Sequence, residues 1–239
     1  MSQNEQLTVP PPTPLGTALG HLRELHRRWP TTDGAAVFNR VYLSATEDFC
    51  RRIDQGELPS GMAITLHTLL AQRYLTAMEA AEAGGRPPAC WRPLTQHRRH
   101  PGVRPAQFAL AGLNALVGHD LALAVVDTCR RLRREPADLA KEFDRVGDLL
   151  TLMDERVRED LVPPPELLEI ADPLTHLLGS WNLDRARDAA WSQACLLWEV
   201  RRLPTLADES IDRLDAGLGL VGRCLLTPWP PPPSPPRRP

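Results

Sequence analysis

Apolar residues recur along this chain at intervals of three and four, the spacing of a helix face. "ALGHLRELHRRW" puts Leu15, Ala18, Leu22 and Leu25 on one stripe, sets most of His21, Arg23, His26, Arg27 and Arg28 elsewhere, and stops at Pro30. In "TTDGAAVFNRVYLSATEDFCRRI" the stripe is Val37, Val41, Ala45 and Phe49, with Asp33 as the expected cap. A third helix is expected from about Met62 to Ala83, ended by Gly84 and Gly85. "RPPACWRPLTQHRRHPGVRP" is expected to be loop, because prolines and a glycine interrupt any period. A long apolar helix follows, from about Ala106 to Arg133. Pro136 then stands in the first turn of a helix that carries "FDRVGDLLTLMDERV". "VPPPELLEIADPLTHLLGSW" reads as a proline-started helix broken around Pro173, and "NLDRARDAAWSQACLLWEVRRL" and "LADESIDRLDAGLGLVGRCLL" complete the series.

No strand-like alternation, internal repeat or heptad seam is present. The pattern therefore predicts an all-α domain over residues 14–227, with about eight helices around a buried apolar central helix. The polar, Pro-rich residues 1–13 and the polyproline tail 228–239 are expected to be disordered, since such sequence buries too little to offset its ordering cost.

Composition narrows the function classes. The 239 residues suffice for a substantial core. A net charge of −2, with both signs mixed along the chain, gives no electrostatic reason to expect nucleic acid. Lys141 is the only lysine, so the arginine-rich basic side reads as a GC-rich coding bias rather than a phosphate-binding device. Five cysteines without a CxxC pair suggest reduced, packed thiols in the cytoplasm. The N-terminus lacks the charged and apolar regions of a signal peptide. Only Pro105 to Val126 approaches the length of a membrane span. Its central Asn, His and Asp favour a buried core helix over lipid.

That helix holds the candidate chemistry. Within "GLNALVGHDLALAVVD", Asn114, His119, Asp120 and Asp127 sit among apolar residues on every side. A helical wheel puts Asp120 and Asp127 on nearly one face, turns His119 toward Ala115, Leu123 and Val126, and points Asn114 elsewhere. A buried carboxylate costs several kcal/mol unless it is paired, wet or bound to something. Two readings satisfy this. The groups form a structural network between helices, or they line a pocket where Asp120 or His119 transfers a proton.

A second polar set lies on "SWNLDRARDAAWSQACLLWEVRR". Asp184, Asp188 and Trp191 share a face beside Arg187, and Trp191 and Trp198 fall on one stripe. It is either a core tryptophan stripe with a solvated charged edge, or the source of Arg187 as the buried partner of Asp120. Tyr42, Asp127, Trp191 and Trp198 are the candidate walls of a ligand cavity. No HExxH, Glu-x-x-His pair, GxSxG or phosphate loop occurs. His97 and His100 of "HRRH" have metal spacing but lie in a Pro-rich loop without acidic neighbours, and Asp144 and Asp148 read as a solvated helix edge. With no complete ligand set visible, neither a metal nor another cofactor is expected.

"FNRVYLSAT", "GLNALVGHDLALAV", "FDRVGDLL" and "RDAAWSQACLLW" together resemble, in order, an uncharacterised and largely actinobacterial domain-of-unknown-function family, number 5995. The resemblance runs between Phe38 and Leu203. Its pattern G-x-N-A-H-I-x-x-D-L is matched by Gly112, Asn114, Ala115, Asp120 and Leu121, and R-x-x-A-W by Arg187, Ala190 and Trp191. Leu116 stands where that family usually has histidine, and Gly147 where asparagine is common. The resemblance implies an all-α fold with a shared polar core, and no known activity.

Taken together, these features lead us to expect an enzyme for a small, largely apolar molecule in specialised biosynthesis. Asp120 is its expected acid/base, with Asn114 and Arg187 orienting and His119 assisting. The rival expectation is a helical ligand- or partner-binding domain whose polar residues only fix its core. A metal-dependent hydrolase is a third, weakened by Leu116.

Overall fold

Each described helix starts or stops where local chemistry requires it. The computed structural model describes residues 13–57, 61–161 and 181–228. Thr13 caps α1 (Pro14–Arg28) by accepting the Gly16 N–H at 3.1 Å, and Pro14 occupies the first turn. Asp33 caps α2 (Gly34–Asp54) through the Ala35 N–H at 2.9 Å. The helix α3 (Gly61–Glu82) ends at Gly84, whose φ of +73° suits a residue without Cβ.

The supposed loop contains α4 (Arg92–His97), a correction to the sequence reading. Six residues are too few for a hydrophobic period to show, and the prolines conceal the helix because Pro93 sits in its first turn, where no N–H is needed. The central helix α5 spans Pro105–Leu132, and Arg133 in the left-handed region ends it. Then come α6 (Pro136–Leu161), α7 (Leu183–Val200, capped by Asn182) and α8 (Pro204–Leu225). Among the described residues these eight helices account for the secondary structure, and no strand occurs. The disordered arms and the helix expected around Pro173 lie mainly outside the described residues.

Helix α5 is the axis of the domain. Its first half packs on α2 and α8, its second half on α3 and α7, and α6 touches both. It is long and apolar enough to cross a bilayer, yet 94% of its most apolar window is buried inside the fold. All five cysteines are free, with Cys90 and Cys129 buried.

An aromatic layer fills the space between α2, α3 and α4. Phe38, Tyr74 and Trp91 stand 5.2–5.5 Å apart between ring centroids, with Tyr42 against Phe38 and Tyr74. Gly112 lets α5 touch this layer, because a Cβ there would lie 2.1 Å from the Phe38 ring. Gly112→Ala gains about 1 kcal/mol of helix propensity. Overpacking a ring held on three sides costs roughly 1–3 kcal/mol or more, so the net effect is expected to be destabilising. A lower urea midpoint with an unchanged slope is the expected result, and an equal or higher midpoint would refute this close-packing account.

Candidate functional site

The central helix is not α-helical throughout. Between Pro105–Ala115 and Leu121–Leu132 it widens into a π-turn over Leu116–Asp120, closed by the Leu121 N–H on the Leu116 carbonyl. A uniform wheel places Asn114 and His119 about 140° apart. A π-turn absorbs one extra residue, which reduces that angle to about 40°. Both side chains accordingly face α8. Asn114 donates to the Leu218 carbonyl at 3.0 Å, and His119 Nε2 lies 3.9 Å from Asp215 Oδ1.

Asp120 is buried at the end of this turn and holds two partners. Trp91 Nε1 donates to its Oδ2 at 2.8 Å, and His119 Nδ1 sits 2.8 Å from its Oδ1. Trp91 is fixed in turn by the aromatic layer. The loop before α4 carries Cys90 to the same place, and its anchor is Asp215, which accepts the Ala89 and Cys90 N–H groups at 2.7 and 2.8 Å. That approach requires Gly219, where a Cβ would come within 2.6 Å of the Ala89 carbonyl. Burial raises the Asp215 pKa, but the Cys90 and Ala89 N–H groups, the Cys90 thiol and His119 together hold it below the ordinary carboxylate value. Burial pushes the Cys90 thiol far upward, and the Asp120 and Asp215 carboxylates push it further. The thiol therefore stays protonated and is a poor nucleophile.

A groove of about 490 Å3 opens between α3 and the π-turn, with His119, Asp120 and Asp127 among its lining residues. Leu69, Ala77 and Pro87 supply apolar wall, and Arg86 adds charge. Asp127 forms an ion pair with Arg73 there. The shared face of Asp120 and Asp127, read from the sequence, is real because the helix beyond the π-turn is regular. A cavity of about 520 Å3 lies beside the α1–α2 turn, but its buried carboxylate, Asp33, is already taken by Ala35 and Arg98.

Other expected site residues lie elsewhere. Arg187 does not pair with Asp120. Its guanidinium packs at Gly147, 3.7 Å from Asp144 and 3.8 Å from Asp184, and faces Phe143. The physical reason is direction, since this face of α7 meets α6 rather than the π-turn. Arg187 and Trp191 line a separate cavity of about 350 Å3. Tyr42 is fully buried in the aromatic layer, outside the groove lining, and its hydroxyl has no hydrogen-bond partner. Trp198 donates to Glu135 and carries Arg201 over its ring, also away from the groove.

His97 and His100 each use Nδ1 locally, on the Pro93 carbonyl and the Gly102 N–H. Asp144 and Asp148 are exposed, as a solvated edge would be. Cys90, Trp91 and Asp215 were missed in the sequence. A usable signal for the first two existed: a cysteine and a tryptophan inside a Pro-rich loop are expected to be buried.

Comparison with known proteins adds a family. The family model described as a family of unknown function, DUF5995, matches residues 16–228. The chain belongs to DUF5995. No curated protein and no solved structure matches it. In this DUF5995 member both pattern segments are inside the fold's helices, Gly112–Leu121 on α5 and Arg187–Trp191 on α7, yet their charged residues serve different cavities.

Proposed function

We propose that this DUF5995 protein is an enzyme that moves a proton on a small molecule held in the groove between α3 and the π-turn. The observation that carries this reading is that His119 and Asp120, both buried, line that groove while hydrogen-bonded to each other. His119 takes the acid/base role assigned to Asp120 from sequence. Asp120 holds the His119 ring through Nδ1 at 2.8 Å, and Asp215 lies 3.9 Å from Nε2, beyond hydrogen-bond reach, so Asp120 orients the imidazole without occupying its second nitrogen. Trp91 locks Asp120, and Asn114 fastens the π-turn to α8.

The mixed wall suits a molecule with an apolar body and a polar group directed toward Arg86. Isomerisation, cyclisation and hydrolysis all need such a proton-transfer group. Specialised biosynthesis in the cytoplasm is the setting we propose, and the free cysteines support the compartment. The near-neutral charge supports a small-molecule partner over nucleic acid, and the burial of α5 supports a role away from the membrane.

One observation favours the non-catalytic reading. Both oxygens of Asp120 and the amide of Asn114 already have protein partners, as in a purely structural core. His119→Gln separates the two. The variant keeps a hydrogen-bonding amide, so its melting temperature is expected within a few degrees of wild type, while turnover falls at least about 100-fold. The measurement is untargeted metabolite comparison of a deletion strain complemented with each form. Full restoration by a stably folded His119→Gln would overturn the enzyme reading.

A further inference from the structure

The expectation of no metal rested on the lack of a ligand set within any one stretch of sequence. Folding assembles one across the chain. Cys90 from the loop before α4, and His119 and Asp120 from the π-turn, bring potential ligand atoms within 4.8 Å of one another, and all three residues are buried. We infer that Cys90, His119 and Asp120 form a binding site for one divalent transition metal ion of the zinc type.

The donor set decides the class of ion. As a ligand Cys90 is a thiolate, so uptake of the ion displaces the thiol proton to solvent. A thiolate sulfur, an imidazole nitrogen and a carboxylate oxygen suit zinc and exclude magnesium and calcium, which take oxygen ligands. Three protein ligands would leave a fourth tetrahedral position for water or a ligand, and two of the three, His119 and Asp120, line the groove.

The surroundings suit an ion as well. A metal-binding histidine almost always passes its second ring N–H to a carboxylate or carbonyl. Here Asp120, itself a ligand, neighbours Nδ1 at 2.8 Å. The carboxylate on the side of the second ring nitrogen is Asp215, 3.9 Å from Nε2 and one side-chain adjustment from accepting its N–H. Asp215 also clamps the Cys90 backbone, so one side chain of α8 steadies two of the three ligands. Among the ion pairs of the described residues, Asp120 and Asp215 meet His119 and no arginine or lysine. A divalent cation supplies the positive charge that two carboxylates beside one imidazole lack.

The ion site rests on the proposed acid–base reading for its location; with an ion held there His119 would be a ligand, and the ion would supply the acid–base chemistry through bound water in its place. The two are measured separately. Reduced, tag-free, full-length protein is titrated with Co2+, and binding is followed by calorimetry and absorption. The expected result is one ion per chain with a thiolate-to-cobalt charge-transfer band and the visible bands of a tetrahedral ion. Cys90→Ser, shown by circular dichroism to be folded, loses the charge-transfer band, and Asp215→Asn weakens binding roughly 10–100-fold. Wild-type protein that takes up no ion, or takes it up without the charge-transfer band, overturns the inference. So does a band that persists in Cys90→Ser, which places the ion on another thiol such as the exposed Cys224. Uptake of the ion by a wild-type protein whose His119→Gln variant still restores the metabolite would remove the acid–base reading and leave the ion site standing. A metal-free protein with an inactive His119→Gln variant would do the reverse.

Discussion

Replacing Asp120 by alanine is expected to destabilise the protein by roughly 3–5 kcal/mol, because buried polar partners lose their acceptor. The stranded groups are the Trp91 indole N–H and the His119 ring, each 2.8 Å from a carboxylate oxygen in the wild type. The Trp91 indole cannot turn to water, since it is fully buried, and His119 is buried apart from its edge on the groove. Adding Trp91→Phe removes one stranded donor and is expected to recover part of the loss in a double-mutant cycle. Adding Arg187→Met is expected to be additive within about 0.5 kcal/mol, because Arg187 sits with Asp144 and Asp184 instead. Urea denaturation of the three single and two double variants decides the matter. Coupling of Asp120 to Arg187 without coupling to Trp91 would refute the network described for the π-turn.

The second large effect concerns acid stability. His67 is fully buried between Phe49 and Tyr42, and neither ring nitrogen has a hydrogen-bond partner. Burial lowers its pKa from 6.5 to about 3. The folded protein therefore keeps this ring neutral where the unfolded chain protonates it. Its contribution is undiminished above pH 6.5 and is lost as the pH falls from there toward about 3, at roughly 1.4 kcal/mol per pH unit. Between pH 7 and pH 5 the loss from this residue is about 2 kcal/mol. His67→Leu cannot take up that proton. The variant is expected to lose about 2 kcal/mol less than wild type over the same interval. Equal losses in the two proteins, measured by denaturant unfolding at each pH, would remove His67 as the cause.

Helix boundaries were legible because their signals are local. Asp33, Pro136 and the Gly84 stop each act within a turn of their own position, and all three work as their residue type predicts. The unusual helix was legible too, since an amide, an imidazole and two carboxylates on an apolar segment conflict with burial wherever the chain runs. Their partners were not. Trp91 lies 29 residues from Asp120, and Asp215 belongs to the last described helix, so no spacing rule connects them. Charge alone suggested Arg187, but an indole N–H and a ring nitrogen satisfy the carboxylate. The π-turn was hidden for a different reason. A wheel advances every residue by the same angle, and this helix does not.

That turn makes the domain sensitive to counting as well as to chemistry. In a uniform helix a face is defined by residue identity at fixed steps, and one substitution disturbs one place. Here the two halves of α5 are held out of phase by a single residue within Leu116–Asp120. The first half directs Asn114 to α8, and the second directs Asp127 to the groove beside α3. Loss of one residue between them would rejoin the halves into an ordinary helix with better backbone hydrogen bonds. It would also swing everything beyond the turn by about 100° relative to everything before it. The register between the α8 contact and the groove is thus stored in the length of five residues. Relatives with an insertion or deletion there would keep every side chain named above and still lack the site.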